Sequence, residues 1–365
     1  ILLGPGTFRP SNTLALAGED VVVRGAGRDA TVLDFVGQRA GSEGVLAENA
    51  RGLVLESFSV VDARGNGVKV LGGEGVVMRD LAVRWTSADA GAHGPYGLYP
   101  VRSTGVVVER CSVTGATDAG IYVGQSTGAI VRQNVTTGNV AGIEIENSFE
   151  VDVYENEAVG NAEGILVVDL PWVPLTGGSR IHVRDNVIAD NNVENFSPKG
   201  SFVGSLPRGL GLLVMGSREV EVSGNTVRGH ASANALVASF LATGNTVERE
   251  RYDPYPSRVF LHDNRIEGGG DAPARTKHLG AVLASGTPAY PGGVVPAIVY
   301  DGVRDPARGA GANPHEICVR GNGEATVATL NLADGRRPDV ARTVTFDPTP
   351  YDCALPPVVP ETSAP

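Results

Sequence analysis

Apolar and polar residues alternate along this chain in short runs that recur at a fixed interval. The segments Leu98–Gly120, Ile121–Gly142 and Ile143–Gly164 superimpose almost without gaps, each opening on an apolar-x-apolar triplet and closing on glycine. A repeat of about 22 residues is one coil of a solenoid, a unit that buries its apolar side only by stacking on its neighbours. The spacing recurs in Val45–Gly67 and Leu212–Ala235. Each coil predicts a short strand a (Ile121-Tyr-Val, Ile143-Glu-Ile, Ile165-Leu-Val, Leu212-Leu-Val), a turn, then a strand b with apolar residues on alternate positions. Alternation at period two with many β-branched residues favours strand over helix.

Aligning the coils stacks Phe58, Leu81, Cys111, Asn134, Asn156, Asn186, Asn225 and Asn264 in one column of strand b. Five asparagines at one interior bend predict a ladder in which each amide donates to one neighbour and accepts from another. Such a ladder satisfies polar groups whose unpaired burial costs roughly 1–3 kcal/mol each. The fold class that follows is all-β, a right-handed parallel β-helix with loop insertions, rather than a leucine-rich repeat, whose consensus leucines are absent. Asn134-Val-Thr136 is then inward and no glycosylation site. The β-helix is expected over 1–300, with a C-terminal extension over 301–365 ending in Leu355-Pro-Pro-Val-Val-Pro, which reads as a linker or tail. The start at Ile1-Leu-Leu-Gly looks like the middle of a first coil, so upstream residues, an export signal among them, are expected.

Composition fits tight coils around a narrow core, with 49 glycines in 365 residues and only 5% aromatics. No run of 18 apolar residues is present, so no membrane-spanning segment is predicted. A net charge of −11 without any basic run excludes nucleic acid as the main partner. A polyanionic sugar stays open, because a few local cations outweigh the global sign inside a groove. Cys111 lies in the interior column and reads as a small buried hydrophobe. Pairing of Cys318 with Cys353 would close a loop worth roughly 3.5–4 kcal/mol in the chain-entropy model and imply an oxidising compartment, extracellular or periplasmic; the alternative is two free thiols.

Four departures from the repeat mark loops, where solenoids carry function. Those at 86–97 and 190–209 interrupt the turn before strand a, and those at 169–179 and 241–257 the turn after it, so they wall a groove floored by strand a. The outward columns of that floor read Lys69, Tyr99, Tyr122, Glu144, Leu166, Leu213 and Leu71, Val101, Gly124, Glu146, Val168, Met215. At a coil spacing of about 4.8 Å, a cation, two phenols and a carboxylate lie within about 15 Å, after which the floor turns apolar and needs a cover, either the 190–209 loop or a partner.

Around the polar half gather His93, Tyr96, Tyr99, Arg102, Asp118 and Tyr122. A Tyr or His beside Arg or Lys suits removal of a proton next to a uronate carboxylate, the chemistry of β-elimination or C5 epimerisation. Tyr99, Tyr122, His93 and Glu144 are the candidate catalytic residues, and Lys69, Tyr96, Arg102, Asp118 and Glu146 the candidate substrate contacts. A tyrosine ladder with His93 capping a loop would give the same pattern. Glu144 and Glu146 share a strand face about 6.8 Å apart along the strand, a spacing compatible with the roughly 6.5–9.5 Å of inverting glycosidases. Calcium is open through Glu144, Glu146 and Asp118, although no dedicated oxygen-ligand loop is visible and the sequence requires no cofactor. The six histidines show no zinc spacing, and His182 and His262 read as surface.

Tyr96-Gly-Leu-Tyr-Pro-Val, Asp118-Ala-Gly-Ile-Tyr-Val-Gly-Gln-Ser and Asn139-Val-Ala-Gly-Ile-Glu-Ile-Glu-Asn resemble an exported bacterial family of tandem β-helix-repeat proteins within the pectin-lyase-like superfamily of carbohydrate-binding and sugar-hydrolysing β-helices. The resemblance covers most of the chain. It implies the fold and export, and assigns no activity. The Asp-Pro-His-Asp motif shared by alginate epimerases of this fold is absent, and neither the calcium site of pectate lyases nor the clustered aspartates of polygalacturonases carries over. Two functions are therefore expected as rivals: binding of an extended glycan, with lyase or C5-epimerase action on a uronic-acid polymer, or a non-catalytic scaffold docking a protein partner on the apolar strip Leu166, Val168, Leu213 and Met215.

Overall fold

A computed structural model describes residues 1–333 and 339–362. Parts of the expected 301–365 extension, 334–338 and 363–365, lie outside the described residues. All strand-to-strand ladders are parallel and join each coil to the next, as a solenoid requires. The a-strands form one sheet of eleven, from Asn12–Leu16 to Val327–Thr329, and the b-strands with their short continuations form a sheet of eighteen. The chain is a right-handed parallel β-helix. Its core between the sheets is filled by inward Val, Ile and Leu, among them Ile121, Ile143, Ile165, Val131 and Val153, all fully buried. Past residue 300 the ladders continue: Ile317–Arg320 pairs with Ser257–His262, and Val327–Thr329 with Ile298–Tyr300.

The predicted asparagine column runs from Asn134 through Asn156, Asn186, Asn225 and Asn264, and one coil further to Asn322. Each amide nitrogen donates to the next side-chain oxygen at 2.9 Å. It also donates to a backbone carbonyl of the preceding coil, as Asn134 does to Val108 O, while the backbone N–H of each asparagine reaches the next amide oxygen. Cys111 closes the N-terminal end, its N–H donating to the Asn134 oxygen, and burial pushes its thiol up to about 12, which leaves it inert. Asn134 and Thr136 are buried, so the sequon is inward.

A second ladder escapes the sequence alignment. Asn139, Asn161 and Asn191 stack at the turn before strand a with 2.9 Å amide bonds. The buried His230 ends it, between Asn191 and Asn234. Because burial penalises the imidazolium, His230 is held down to about 4 and stays neutral.

Two elements outside the repeat were not foreseen. A helix, His278–Ser285, lies on the strand-a side and buries Leu279, Val282 and Leu283. Its Leu-x-x-Val-Leu spacing is the sequence signal for such a face. The proline-rich end is no free linker. Fixed to Ile317–Arg320 by the Cys318–Cys353 disulfide, it runs back across the b-strand sheet over three coils. Val358 N–H donates to Glu221, Arg180 donates to Val359 O at 2.9 Å, and Glu361 N–H donates to Glu150 at 2.7 Å. His182 and His262, read as plain surface, flank Glu221 beneath this strap, with His262 Nε2 2.9 Å from its carboxylate.

Two stability predictions follow from these contacts. Asn156→Ala leaves Val131 O and two groups of Asn134 without their partner and should lower unfolding stability by about 1–3 kcal/mol or more. An unchanged urea midpoint would contradict the ladder's role. Cys353→Ser removes a cross-link spanning 35 residues and should cost roughly 3.5–4 kcal/mol in the chain-entropy model, read as a fall in thermal midpoint with the far-ultraviolet spectrum retained.

Candidate active site

Parallel stacking without register shift puts like positions of successive coils side by side. Tyr122 pairs with Glu144 and Glu144 with Leu166, while Gly124 pairs with Glu146 and Glu146 with Val168. Lys69 is beside Tyr99. Both floor columns read from the sequence are thus in place.

The side chains then depart from a flat floor. Tyr122 folds along its own strand over Gly124, where a Cβ would lie 2.3 Å from the phenol oxygen. Only glycine leaves that room, and the phenol so directed donates to Glu146. Tyr96 donates to Asp118. The rings of Tyr96, Tyr99 and Tyr122 meet with centroids 4.4, 4.7 and 5.0 Å apart, and Tyr96 and Tyr99 keep partial exposure.

Beside the phenols lies an acid cluster of Asp118, Glu144, Glu146 and Glu163. All four are buried, with 9% and 8% exposure remaining at Asp118 and Glu146 and 1% or less at Glu144 and Glu163. No cation pairs with them within ion-pair distance among the described residues. Desolvation, and then the neighbouring carboxylates, push Asp118 up to about 8 and Glu144 well above the usual carboxyl range. Desolvation alone dominates at Glu146, raised to about 7 although the Tyr122 phenol favours its ionised form. Glu163 is raised strongly by burial. Like charges this close in a dry site cannot all ionise. Glu144 and Glu163 are therefore neutral acids, each with one buried oxygen lacking a hydrogen-bond partner, and the two carboxyls that reach solvent titrate near neutrality. Among the described residues no group of three or more acids, histidines or cysteines is placed to hold a metal ion, so the calcium expectation at Glu144, Glu146 and Asp118 finds no such site.

The remaining candidates divide. Lys69 sits 5.4 Å over the Tyr99 ring and 4.0 Å from Glu43, and Arg102 is exposed at the end of the Tyr99 strand. His93, expected on the wall, stands apart: its ring stacks on Trp85, with its nitrogens 2.8 Å from Gly115 O and 2.9 Å from Ser87 O. Both nitrogens are spent on holding the loop, so neither is free for substrate. The phenols stay protonated and so offer no phenolate base, because burial and the acids raise Tyr99 to about 12 and hold Tyr96 and Tyr122 well above the usual phenol range. Leu166, Val168, Leu213 and Met215, expected as a docking strip, are at most 1% exposed. They pack in one cluster with Val203 and Leu206 of the 190–209 loop and Leu279 and Val282 of the helix. The chain covers its own apolar floor, which leaves no strip there for a partner.

Sequence reasoning missed Glu163, Asn147, Asp169 and Asn195. Glu163 occupies a column shared with Tyr96, Ala119, Ala141, Leu210 and Ala233, and being the one acid in it was its only signal. Asn195, on the 190–209 loop, donates to Glu163 at 3.0 Å and so pins the cover to the acid cluster.

Residues 21–171 match the family model described as a right-handed beta helix region. No curated protein sequence matches the chain. Among solved structures, the A-module of mannuronan C-5 epimerase AlgE4 from Azotobacter vinelandii is similar at 15% identity and a TM-score of 0.48, over 82% of this chain and 84% of that one. An exopolygalacturonase from Thermotoga maritima is similar at 13% identity and a TM-score of 0.46, over 69% and 66%. Pectate lyase Pel9A is similar at 14% identity and a TM-score of 0.41, over 92% and 69%. Each is a likeness of fold alone.

Carboxyls raised by folding set a direction for stability against pH. Above about pH 4 the unfolded chain has released protons that native Asp118 and Glu146 retain up to about 8 and 7. Their contribution is fully present below about pH 4 and is lost as pH rises to about 8. The difference in thermal midpoint between Glu146→Gln and the wild type should therefore grow in favour of the variant between pH 5 and 8. A difference independent of pH would contradict the raised carboxyl.

Proposed function

We propose that this β-helix binds an extended glycan along the strand-a face and cleaves it by carboxyl acid–base chemistry at Asp118 and Glu146. The observation that carries the reading is the pair of partly accessible acids raised to about 8 and about 7 beside two partly exposed phenol rings. A general acid and base work best with pKa values near the operating pH. In neutral solution Asp118 holds its proton and Glu146 is partly ionised, so one donates to the leaving glycosidic oxygen while the other draws a proton from the attacking water. The phenols stay protonated. Tyr122 orients Glu146, and Tyr99 and Tyr96 offer ring faces to sugar. Glu144 and Glu163, as neutral acids, keep the pair's shared environment dry and uncharged.

This reading moves the chemistry from phenols to carboxyls and so favours hydrolysis over elimination or epimerisation. A site with four acids and two peripheral cations, Lys69 and Arg102, also suits a neutral stretch of glycan better than a dense polyuronate. The Cys318–Cys353 disulfide supports action in an oxidising, extracytoplasmic compartment, and no helix among the described residues is long and apolar enough to cross a membrane.

The test is a panel of neutral and acidic polysaccharides assayed together for new reducing ends and for the ultraviolet absorbance of unsaturated products. Reducing ends without unsaturation are expected, with a bell-shaped profile centred between about pH 6 and 8. Asp118→Asn and Glu146→Gln should each lower kcat by about 10²–10⁴-fold. Unsaturated ends would replace hydrolysis by elimination, and full activity in both variants would remove the carboxyl pair from the chemistry.

A further inference from the structure

Beyond the acid cluster, the 169–178 loop carries Trp172, an indole that is 63% exposed. It is not loosely hung. Phe240, fully buried, meets it edge-on with centroids 5.1 Å apart, and Tyr252 buttresses Phe240 at 5.8 Å. Tyr252 in turn donates to the Asp169 carbonyl, across the two insertions. Asp169 Oδ1 accepts from Gly177 N, Gly178 N and Asn147, and the Asn147 amide also bonds Leu170 in both directions. The loop is thus fastened to the residue that follows Glu146.

Trp172, Pro171, Tyr252, Thr246, Glu248 and Arg251 line an open cavity of about 470 Å³, within the size range of ligand clefts. A rigid, exposed aromatic face rimmed by hydrogen-bonding groups of both charges is the chemistry that holds a sugar ring, whose C–H face packs on the indole while its hydroxyls reach the rim. Trp172 follows the strand Glu163–Val168, whose Val168 pairs with Glu146, so it stands one coil beyond Glu146, on the turn that follows strand a.

We infer that Trp172 is a second sugar-binding position: a platform that stacks a pyranose ring of the same glycan, away from the bond held at Asp118 and Glu146. The inference rests on the glycan reading of that site. It gives the chain an extended substrate rather than a disaccharide, with Tyr99 and Trp172 as contacts on either side of the reacting bond.

The experiment uses native gels cast with xylan, laminarin, polygalacturonate or alginate, run with Glu146→Gln so that polymer is not consumed, and with the same protein carrying Trp172→Ala. Because the indole is mostly in solvent, the second change should leave the melting temperature in place. Retardation of the first protein by at least one polymer, weakened about tenfold by loss of the indole, is expected. Equal retardation of both proteins, or retardation of neither by any polymer, would overturn the platform.

Iodide quenching adds a reading on the wild-type protein without any substitution. Of the two tryptophans, Trp85 is buried and only Trp172 meets the quencher, so the retarding polymer should shield the emission. Unshielded emission counts against the platform. Retardation through Trp172 with no new reducing ends would keep the platform and sink the cleavage; reducing ends with Trp172→Ala indifferent in every assay would do the reverse.

Discussion

Everything in this molecule follows from parallel strands held in register at one coil spacing, about 4.8 Å. Two asparagine ladders enforce it, because an amide one step out of place would lose its bond to the coil above and the coil below together. Strict register means that what is repeated in sequence is adjacent in space. Apolar repeats become a continuous core, and any polar residue recurring in an outward column is brought against its own kind. The acid cluster arises across columns and not within one: Glu144 and Glu146 leave the same strand face, Asp118 comes from the coil before, and Glu163 from the coil after.

The electrostatic consequence is proton retention. Stacked carboxyls would repel, and burial beneath the 190–209 loop removes the water that would screen them, so the structure keeps them protonated. Asn195 links the two facts, since the residue that ties the cover down does so by donating to one of these acids. Fold, cover and titration belong to one arrangement, in which the interior acids stay neutral and the two at the surface are left to exchange protons.

The solenoid, the first ladder and both floor columns were legible from spacing alone, since period and alternation encode register directly. The disulfide followed from two cysteines outside the repeats. What spacing cannot encode is the direction of long side chains. Tyr122 turns along its strand because residue 124 is glycine, and His93 turns inward onto Trp85; neither bend appears in a pattern of polar and apolar letters. For the apolar strip the 190–209 insertion was a legible cover, and it supplies Val203 and Leu206; the rest of the lid, Leu279, Val282 and Leu283, was not, because it lies more than sixty residues away in sequence and outside the repeat. Glu163 and Asn195 escaped for a related reason: each is a single polar residue whose meaning depends on a contact between a coil and an insertion.

The first ladder begins only at Asn134. The three preceding coils fill the same column with Phe58, Leu81 and Cys111, and a strap of tail and disulfide binds coils far toward the other end. Cohesion is therefore graded along the axis, amide-braced and stitched on one side, held by side-chain packing on the other. No bond between ladder amides holds the first coils, and Asn134 belongs to the coil that carries Tyr122. The acid site stands at the frontier between the packed and the amide-braced stretches, where a shift of one coil against the next would alter the spacing of its carboxyls.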